Sequence, residues 1–166
     1  MVCHECGGAL VKRLATEKEP YRYAASGITE LFLLGIDVWE CPKCRTEEPV
    51  IPRIAELHQL IFHTLVWQPA PLRGDQLRFL RKHAGLPAKK FASLLGIDPA
   101  HLSRVETGAT EKLGAQADRL ARGIVAAAKG CEKTRSILLD FAAQLEKGRA
   151  PRPAFRLEKN GWEAAA

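Results

Sequence analysis

The chain has 166 residues, of which 46% are hydrophobic and 27% are charged, an ordinary composition for a globular protein. A disordered tail and a fibrous protein are excluded by this composition. The longest strongly apolar run, Leu31–Ile36, is too short to span a bilayer, and the first residues show no basic-then-apolar leader. We therefore expect a cytoplasmic protein that has no membrane partner.

Charge is distributed unevenly along the chain, although its formal sum is only +6. Residues 1–70 carry 7 Lys or Arg and 9 Asp or Glu, whereas residues 71–166 carry 18 and 10. Because a basic surface attracts polyanions, the second half is the candidate for contact with nucleic acid.

The first predicted region is a lobe at residues 1–50, with a pair of cysteines at each end. Between the pairs, the alternating segments Tyr21–Tyr23 and Leu31–Leu34 predict strands, and Val38–Trp39 leads into the second pair. Residues 51–72 follow as a helix and linker. The helix is expected at 52–66, because Ile54, Leu57, Ile61 and Leu65 recur at helical spacing, and prolines flank the linker after it.

The second predicted region, at residues 73–148, is a succession of short helices separated by glycines. We expect these helices at about 75–84, 88–95, 99–106, 115–129 and 132–147. Residues 149–166 form a C-terminal arm, in which Ala154–Trp162 is either a short strand or an ordered extension.

Four of the five cysteines form two Cys-x-x-Cys pairs, Cys3 with Cys6 and Cys41 with Cys44. This spacing aims two sulfurs at one point, so the two pairs together predict one tetrahedral zinc ion. A redox dithiol and a rubredoxin-type iron site are the alternatives. Four protein ligands leave no open position for water, which indicates a structural ion. His4 is expected to point away from it.

The remaining cysteine, Cys131, lies outside both pairs. We expect it to be a reduced, at least half-buried thiol on a helix.

Residues 88–107 have the spacing of a helix-turn-helix. Ala92 is small where a second helix crosses, and Gly96 allows a left-handed turn. Asp98 followed by Pro99 is a helix cap followed by a residue favoured at the first helical position. A three-helix unit that serves only packing is the alternative.

If the helix at 99–106 enters the major groove, its exposed N-terminal side chains are the base readers, and Arg104 is suited to a bidentate contact with guanine. Lysines at the start of the preceding helix are suited to phosphates. His101 and Ser103 can equally be solvated or face phosphates. Arg81 and Glu106 are expected to form a partly buried ion pair that holds the helix at its angle. The candidate DNA-binding residues are Lys89, Lys90, Ala100, His101, Ser103 and Arg104.

Taken together, the two motifs resemble the MqsA family of antitoxins, which has a YgiT-type zinc finger followed by a lambda-repressor-like (XRE-type) helix-turn-helix. The resemblance covers roughly residues 1–125. The chain departs from the family at Ala88, where the superfamily often has Gln, and at Ala100, where MqsA has a base-reading Asn. The residues that match are Cys3-x-x-Cys6, Ser26-Gly27, Leu33-Leu34-Gly35, Cys41-Pro-x-Cys44, Ile51-Pro52, Arg78-Phe79-Leu80-Arg81-Lys82, Phe91-Ala92, Leu95-Gly96 and Ser103-Arg104-Val105-Glu106-Thr107-Gly108.

The resemblance implies a mainly α protein with a small β zinc-binding lobe, in which an N-terminal four-cysteine zinc finger precedes a lambda-repressor-like, five-helix helix-turn-helix bundle. It also implies a structural zinc ion, a homodimer on a palindromic DNA operator and a toxin bound by the zinc lobe.

The expected function is that of a transcriptional repressor that is also the antitoxin of a type II toxin–antitoxin pair. A stand-alone zinc-finger regulator without a toxin is the alternative. An enzyme is not expected, because catalytic motifs are not apparent. We expect residues 1 to about 66 to suffice for toxin binding. The candidate contacts are Tyr21, Tyr23, Phe32 and Trp39, of which at least half are expected to pack in the core instead.

Overall fold

The structure is a computed structural model that describes residues 1–110, 112–130, 154–159 and 161–165. The described chain divides into two compact units. The first, which we call the cysteine unit, comprises Met1–Ala24, Glu30–Leu60 and the described C-terminal residues. The second, the helical unit, comprises Ala25–Thr29 and the described residues from Ile61 to Gly130.

Within the described residues, the cysteine unit contains two sheets. The first is antiparallel, with the strand order β1-β4-β5, and the second has the order β2-β3-β6-β7. Their strands are β1 (Val11–Leu14), β2 (Tyr21–Arg22), β3 (Phe32–Leu34), β4 (Asp37–Glu40), β5 (Glu47–Val50), β6 (Ala154–Glu158) and β7 (Gly161–Ala165).

The C-terminal arm is a β-hairpin that belongs to the second sheet. Strand β6 pairs in parallel with β3, with Leu33 opposite Phe155, and β7 pairs antiparallel with β6. Phe155 is fully buried, and the indole Nε1 of Trp162 donates a hydrogen bond to the Pro52 carbonyl at 3.1 Å. The chain end therefore completes a sheet whose other two strands lie more than a hundred residues earlier in the sequence.

A glycine permits the approach of this hairpin. Gly35 has a φ of +73°, and a Cβ atom at this position would lie 2.9 Å from the Leu157 carbonyl oxygen. A side chain at this position would meet rigid backbone as well as the unfavourable φ. The pairing of β6 with β3 thus depends on residue 35 being glycine.

The helices lie close to their predicted positions. The predicted helix at 132–147 and Cys131 fall outside the described residues, so the five-helix bundle stays a prediction. Ile54 is an exception to the expected apolar face, because its side chain is exposed. The observed helices are α1 (Ile54–Trp67), α2 (Gly74–His83), α3 (Ala88–Leu95), α4 (Pro99–Thr107) and α5 (Ala115–Ala128).

The helical unit has an apolar core to which α2 to α5 and the C-terminal part of α1 contribute. A buried charged side chain, Arg122, connects the end of α1 to α5. The guanidinium bonds Asp118 at 2.6 Å and donates further hydrogen bonds to backbone carbonyls at and after the last turn of α1. Asp118 in turn accepts from the Leu72 backbone N–H at 2.8 Å. The carbonyls that accept from Arg122 are those of Leu65, Val66, Gln68 and Ala70.

This network explains why the proline-flanked segment after α1 has a fixed path. The last carbonyls of a helix lack partners within the helix, and here a guanidinium supplies donors for them. Within the part of the chain that the structure describes, no helix is long and apolar enough to cross a membrane.

Candidate functional site

Each cysteine pair lies in a tight backbone turn, and the two turns repeat the same hydrogen bonds. In the first, the Gly7 N–H donates to the Cys3 carbonyl at 2.9 Å and the Cys3 N–H donates to the Gly8 carbonyl at 2.8 Å. In the second, the Arg45 N–H donates to the Cys41 carbonyl at 2.8 Å and the Cys41 N–H donates to the Thr46 carbonyl at 2.9 Å.

The fourth residue after the first cysteine of each turn adopts a left-handed conformation. Gly7 has a φ of +67° and Arg45 has a φ of +63°. Glycine adopts this conformation without strain, whereas a residue with a Cβ atom does so at a cost. The second turn is therefore the more strained of the two.

The four cysteine side chains converge on one point. All four sulfur atoms lie within 4.8 Å of one another, and the Cys3–Cys44 and Cys6–Cys41 sulfur pairs are each 3.5 Å apart. A tetrahedral ion with metal–sulfur distances of about 2.3 Å places its sulfurs about 3.8 Å apart. The cluster therefore fits one metal ion bound by four thiolates.

Neighbouring groups shift the pKa values of two of the thiols in opposite directions. The Gly8 backbone lowers the pKa of Cys6, but hydrogen bonds with the Cys41 and Cys44 thiols outweigh it and raise the pKa to about 12. The Thr46 hydroxyl and then the Thr46 backbone lower the pKa of Cys44 to about 6. The Thr46 hydroxyl and backbone therefore favour the thiolate form of Cys44, the form that binds metal.

Apolar side chains pack against the cysteine cluster, and His4 is bonded elsewhere. Cys3, Cys41 and Leu10 are buried together, and Trp39 packs against them. The His4 ring bonds the Glu48 carboxylate at 2.7 Å and is not one of the convergent groups. A Cβ on Gly8 would lie 3.3 Å from the Cys41 sulfur, so this glycine also keeps space for the cluster.

The helix-turn-helix consists of α3, a turn and α4. Gly96 ends α3 with a φ of +67°, as its position in the motif predicts. The Asp98 carboxylate caps α4 by accepting from the Ala100 N–H at 2.8 Å and the His101 N–H at 3.2 Å, and Pro99 occupies the first helical position. The start of α4 is thus specified by its own residues.

A buried ion pair fixes the end of α4 against α2. Arg81 forms two bonds with the Glu106 carboxylate, at 2.6 and 2.8 Å, which confirms the predicted pair. The same guanidinium donates to the Leu86 carbonyl at 3.0 Å, between α2 and α3. The hydrogen bond with Glu106 raises the pKa of Arg81, so the charge is retained. The Arg81 side chain of α2 therefore bonds both α4 and the loop between α2 and α3.

The first residue of α2 contacts the same end of α4. A Cβ on Gly74 would lie only 1.8 Å from the Val105 carbonyl oxygen. In the sequence this glycine is indistinguishable from an ordinary residue at a helix start, so its role as a contact point was not predictable.

The predicted DNA-binding residues lie on the outer surface of α3 and α4. Lys89 and Lys90 are exposed on the first turn of α3. On α4, Ala100, Ser103 and Arg104 are exposed and His101 is half-buried. In the described part of the chain, the Arg104 guanidinium makes no hydrogen bond or ion pair. This side chain is available for a ligand.

Apolar exposure in the cysteine unit differs from the sequence-based expectation. Tyr23 is only 4% exposed, so it packs in the core, as was expected for at least half of the four aromatic candidates. Tyr21, Phe32 and Trp39 are half-buried. Instead, Leu14 is 56% and Val50 is 50% exposed. The sequence could not reveal this surface, because the face of a strand is set by its pairing.

Comparison with known families identifies one part of the chain. Residues 74–128 match the family model described as a helix-turn-helix domain, which covers α2 to α5 and about a third of the chain. The helical unit therefore contains an XRE-like helix-turn-helix domain, the kind of domain found in DNA-binding transcriptional regulators. No curated protein and no solved structure gives a match to the chain.

Proposed function

We propose that this chain is a sequence-specific transcriptional repressor that binds a palindromic DNA operator as a homodimer. The observation that carries this proposal is Arg104 on α4, which has no partner among the described residues, in a helix held in place by the Arg81–Glu106 pair. The domain at 74–128 has nine Lys or Arg against five Asp or Glu, which favours contact with phosphates. A single α4 contacts few base pairs, so useful specificity requires two copies.

Two substitutions separate base reading from phosphate contact. Arg104→Ala is expected to reduce the free energy of operator binding by about 1 to 3 kcal/mol and to relax the base preference at one position in each half-site. Lys89→Ala is expected to weaken binding to all sequences alike and to flatten the salt dependence by roughly one unit. Binding-site selection with the wild type and both variants checks this. An unchanged base preference in Arg104→Ala would contradict the placement of α4 in the major groove.

We further propose that Cys3, Cys6, Cys41 and Cys44 bind one structural zinc ion. The close approach of the four sulfurs supports this, and a shell of four protein ligands leaves the ion no open position for chemistry. We accordingly propose a regulator without enzymatic activity.

The resemblance to MqsA-family antitoxins supports a second role, in which the cysteine unit binds a toxin encoded by a neighbouring gene. Leu14 lies opposite Asp37 and Asp37 lies opposite Val50, so these three residues form one row across a single face of the first sheet. The two exposed apolar side chains flank a carboxylate that already pairs with Lys12 at 2.9 Å, so this row suits a partner protein with a partly apolar surface. The acidic excess of residues 1–70 favours a basic partner.

The test of this role uses the full chain, because a fragment ending at residue 66 lacks β6 and β7. Co-expression with the neighbouring gene product is expected to restore growth and to yield a complex. Leu14→Glu with Val50→Glu should abolish both, whereas Leu94→Glu, at an exposed apolar position in the helical unit, should not. A non-toxic neighbour, or no complex at micromolar concentrations, would leave a stand-alone zinc-finger regulator as the better interpretation.

A further inference from the structure

A pocket of about 200 Å³ lies within the helical unit, away from the predicted DNA-binding residues of α3 and α4. One wall is the outer face of α2, with Asp75, Arg78 and Lys82. Another wall is the short loop 25–27, in which a 3-10 helix over Ala24–Ser26 ends at Gly27. Neither the cysteine cluster nor the proposed operator contact uses these residues.

Two cations at this pocket have no counterion among the described residues. Arg78 and Lys82 are exposed and lie one helical turn apart on α2. In the part of the chain that the structure describes, neither forms a side-chain hydrogen bond or an ion pair. Like charges four residues apart on a helix destabilise it slightly. An anion placed between them would remove that repulsion.

The carboxylate at the pocket is already engaged. Asp75 accepts from the Thr29 N–H at 2.7 Å and from the Gln76 N–H at 2.8 Å, and it pairs with the Arg73 guanidinium at 3.1 Å. Although burial opposes ionisation, the Arg73 and Thr29 hydrogen bonds hold the pKa of Asp75 below its usual value. Its charge is therefore balanced by Arg73, which leaves the charges of Arg78 and Lys82 uncompensated.

The loop opposite the cations presents backbone rather than bulky side chains. Gly27 has a φ of +77°, and a Cβ built on it would have no atom within 4 Å. The loop is fixed by a hydrogen bond from the Ile28 N–H to the Ser26 hydroxyl at 3.1 Å. A fixed loop without bulky side chains, beside two cations, is suited to a tetrahedral oxyanion.

We propose that this pocket binds a phosphoryl group between the Arg78 and Lys82 side chains and the loop at Gly27. The phosphoryl group belongs either to a small phosphorylated molecule or to the DNA backbone. Both sources share the chemistry that the two cations recognise.

The first experiment titrates the zinc-loaded full-length chain with inorganic phosphate and follows backbone amide resonances. Saturable shifts are expected at Gly27 and at the first turns of α2. Arg78→Gln and Lys82→Gln should each weaken binding about tenfold, as expected for loss of a charge-assisted hydrogen bond. The control is Lys129→Gln with Lys159→Gln, which removes two exposed charges elsewhere and should leave the shifts unchanged.

The second experiment measures the salt dependence of DNA binding, and this arm alone rests on the proposed DNA-binding function. If the DNA backbone is the source, the double variant Arg78→Gln with Lys82→Gln lowers the slope of the logarithm of the binding constant against the logarithm of salt concentration. The decrease is roughly 0.9 for each phosphate that is no longer neutralised. The control pair leaves the slope unchanged. Phosphate binding with an unchanged slope assigns the pocket to a small phosphorylated molecule. If the phosphate shifts and the slope in the Arg78/Lys82 variant both equal those of the control, the proposal is overturned.

Discussion

The cysteine unit and the helical unit are held together by different means. Near the cysteine cluster, the buried apolar residues are few, namely Leu10 with the partly buried Trp39, and the two turns meet at the four sulfurs. The helical unit instead buries a core of large side chains and the ion pairs Arg81–Glu106 and Arg122–Asp118. We therefore expect the cysteine cluster to depend on a bound ion, whereas the helical unit depends on packing.

This difference determines which changes destabilise each region. Around the cysteine cluster few apolar side chains are buried, so we expect a metal cross-link to contribute a large part of the stability of that region. A packed helical domain tolerates the loss of any exposed contact but not of a buried charge's partner. The two units should therefore lose their structure under different treatments.

Removal of one ligand should have the largest effect. Cys41→Ser is expected to abolish zinc binding and to unfold the first sheet, because metal binding contributes on the order of 10 kcal/mol to the folding of structural zinc sites. The helical unit is expected to stay folded. Zinc content by mass spectrometry and amide spectra of the same sample measure both outcomes.

Cys131→Ser is the matched control for this substitution, because Cys131 belongs to neither cysteine pair. It should retain one zinc per chain. An unchanged first sheet in zinc-free Cys41→Ser protein would show that the cross-link is dispensable.

The complementary substitution is Arg122→Met in the helical unit. Arg122 is 2% exposed, and its loss leaves the buried Asp118 carboxylate without its counterion and several carbonyls without the guanidinium donors. We expect the free energy of unfolding to fall by about 3 to 5 kcal/mol. Chemical denaturation of the zinc-loaded chain measures this, while zinc content should not change.

Lys129→Met serves as the control at the exposed C-terminal end of the same helix and should change stability by less than about 0.5 kcal/mol. The double variant Asp118→Leu with Arg122→Met should recover part of the lost stability, since it removes the unpaired charge. Equal effects of Arg122→Met and Lys129→Met would mean that the buried network does not stabilise the fold.

Features encoded by neighbouring residues were predictable from the sequence. The two Cys-x-x-Cys turns, the Gly96 turn and the Asp98–Pro99 helix start each depend on a few adjacent residues. The Arg81–Glu106 pair was also predictable, because the helix-turn-helix spacing fixes the geometry that joins its members.

Features that depend on distant pairing were not predictable. The arm at 154–165 was expected only as a strand or extension, since its parallel pairing with β3 requires a partner remote in sequence. The donors of Arg122 reach carbonyls more than fifty residues away, and carbonyls carry no sequence signature. Likewise, the exposure of Leu14 and Val50 follows from strand register rather than from residue type.

The smallest effect is expected from a substitution that gives the second cysteine turn the glycine that the first turn has. Arg45 adopts the same left-handed conformation as Gly7, at φ values of +63° and +67°. Arg45→Gly relieves backbone strain and thereby stabilises the folded turn by about 1 to 2 kcal/mol. The greater conformational freedom of glycine in the unfolded chain offsets about 0.5 to 1 kcal/mol of this gain. The exposed pair with Glu40 contributes little. The net gain of about 0 to 1.5 kcal/mol predicts zinc binding that is tighter by at most about tenfold in competition with a chelator, whereas Gly7→Ala should weaken it. A weaker affinity in Arg45→Gly, or no effect of Gly7→Ala, would show that left-handed strain does not distinguish the two turns.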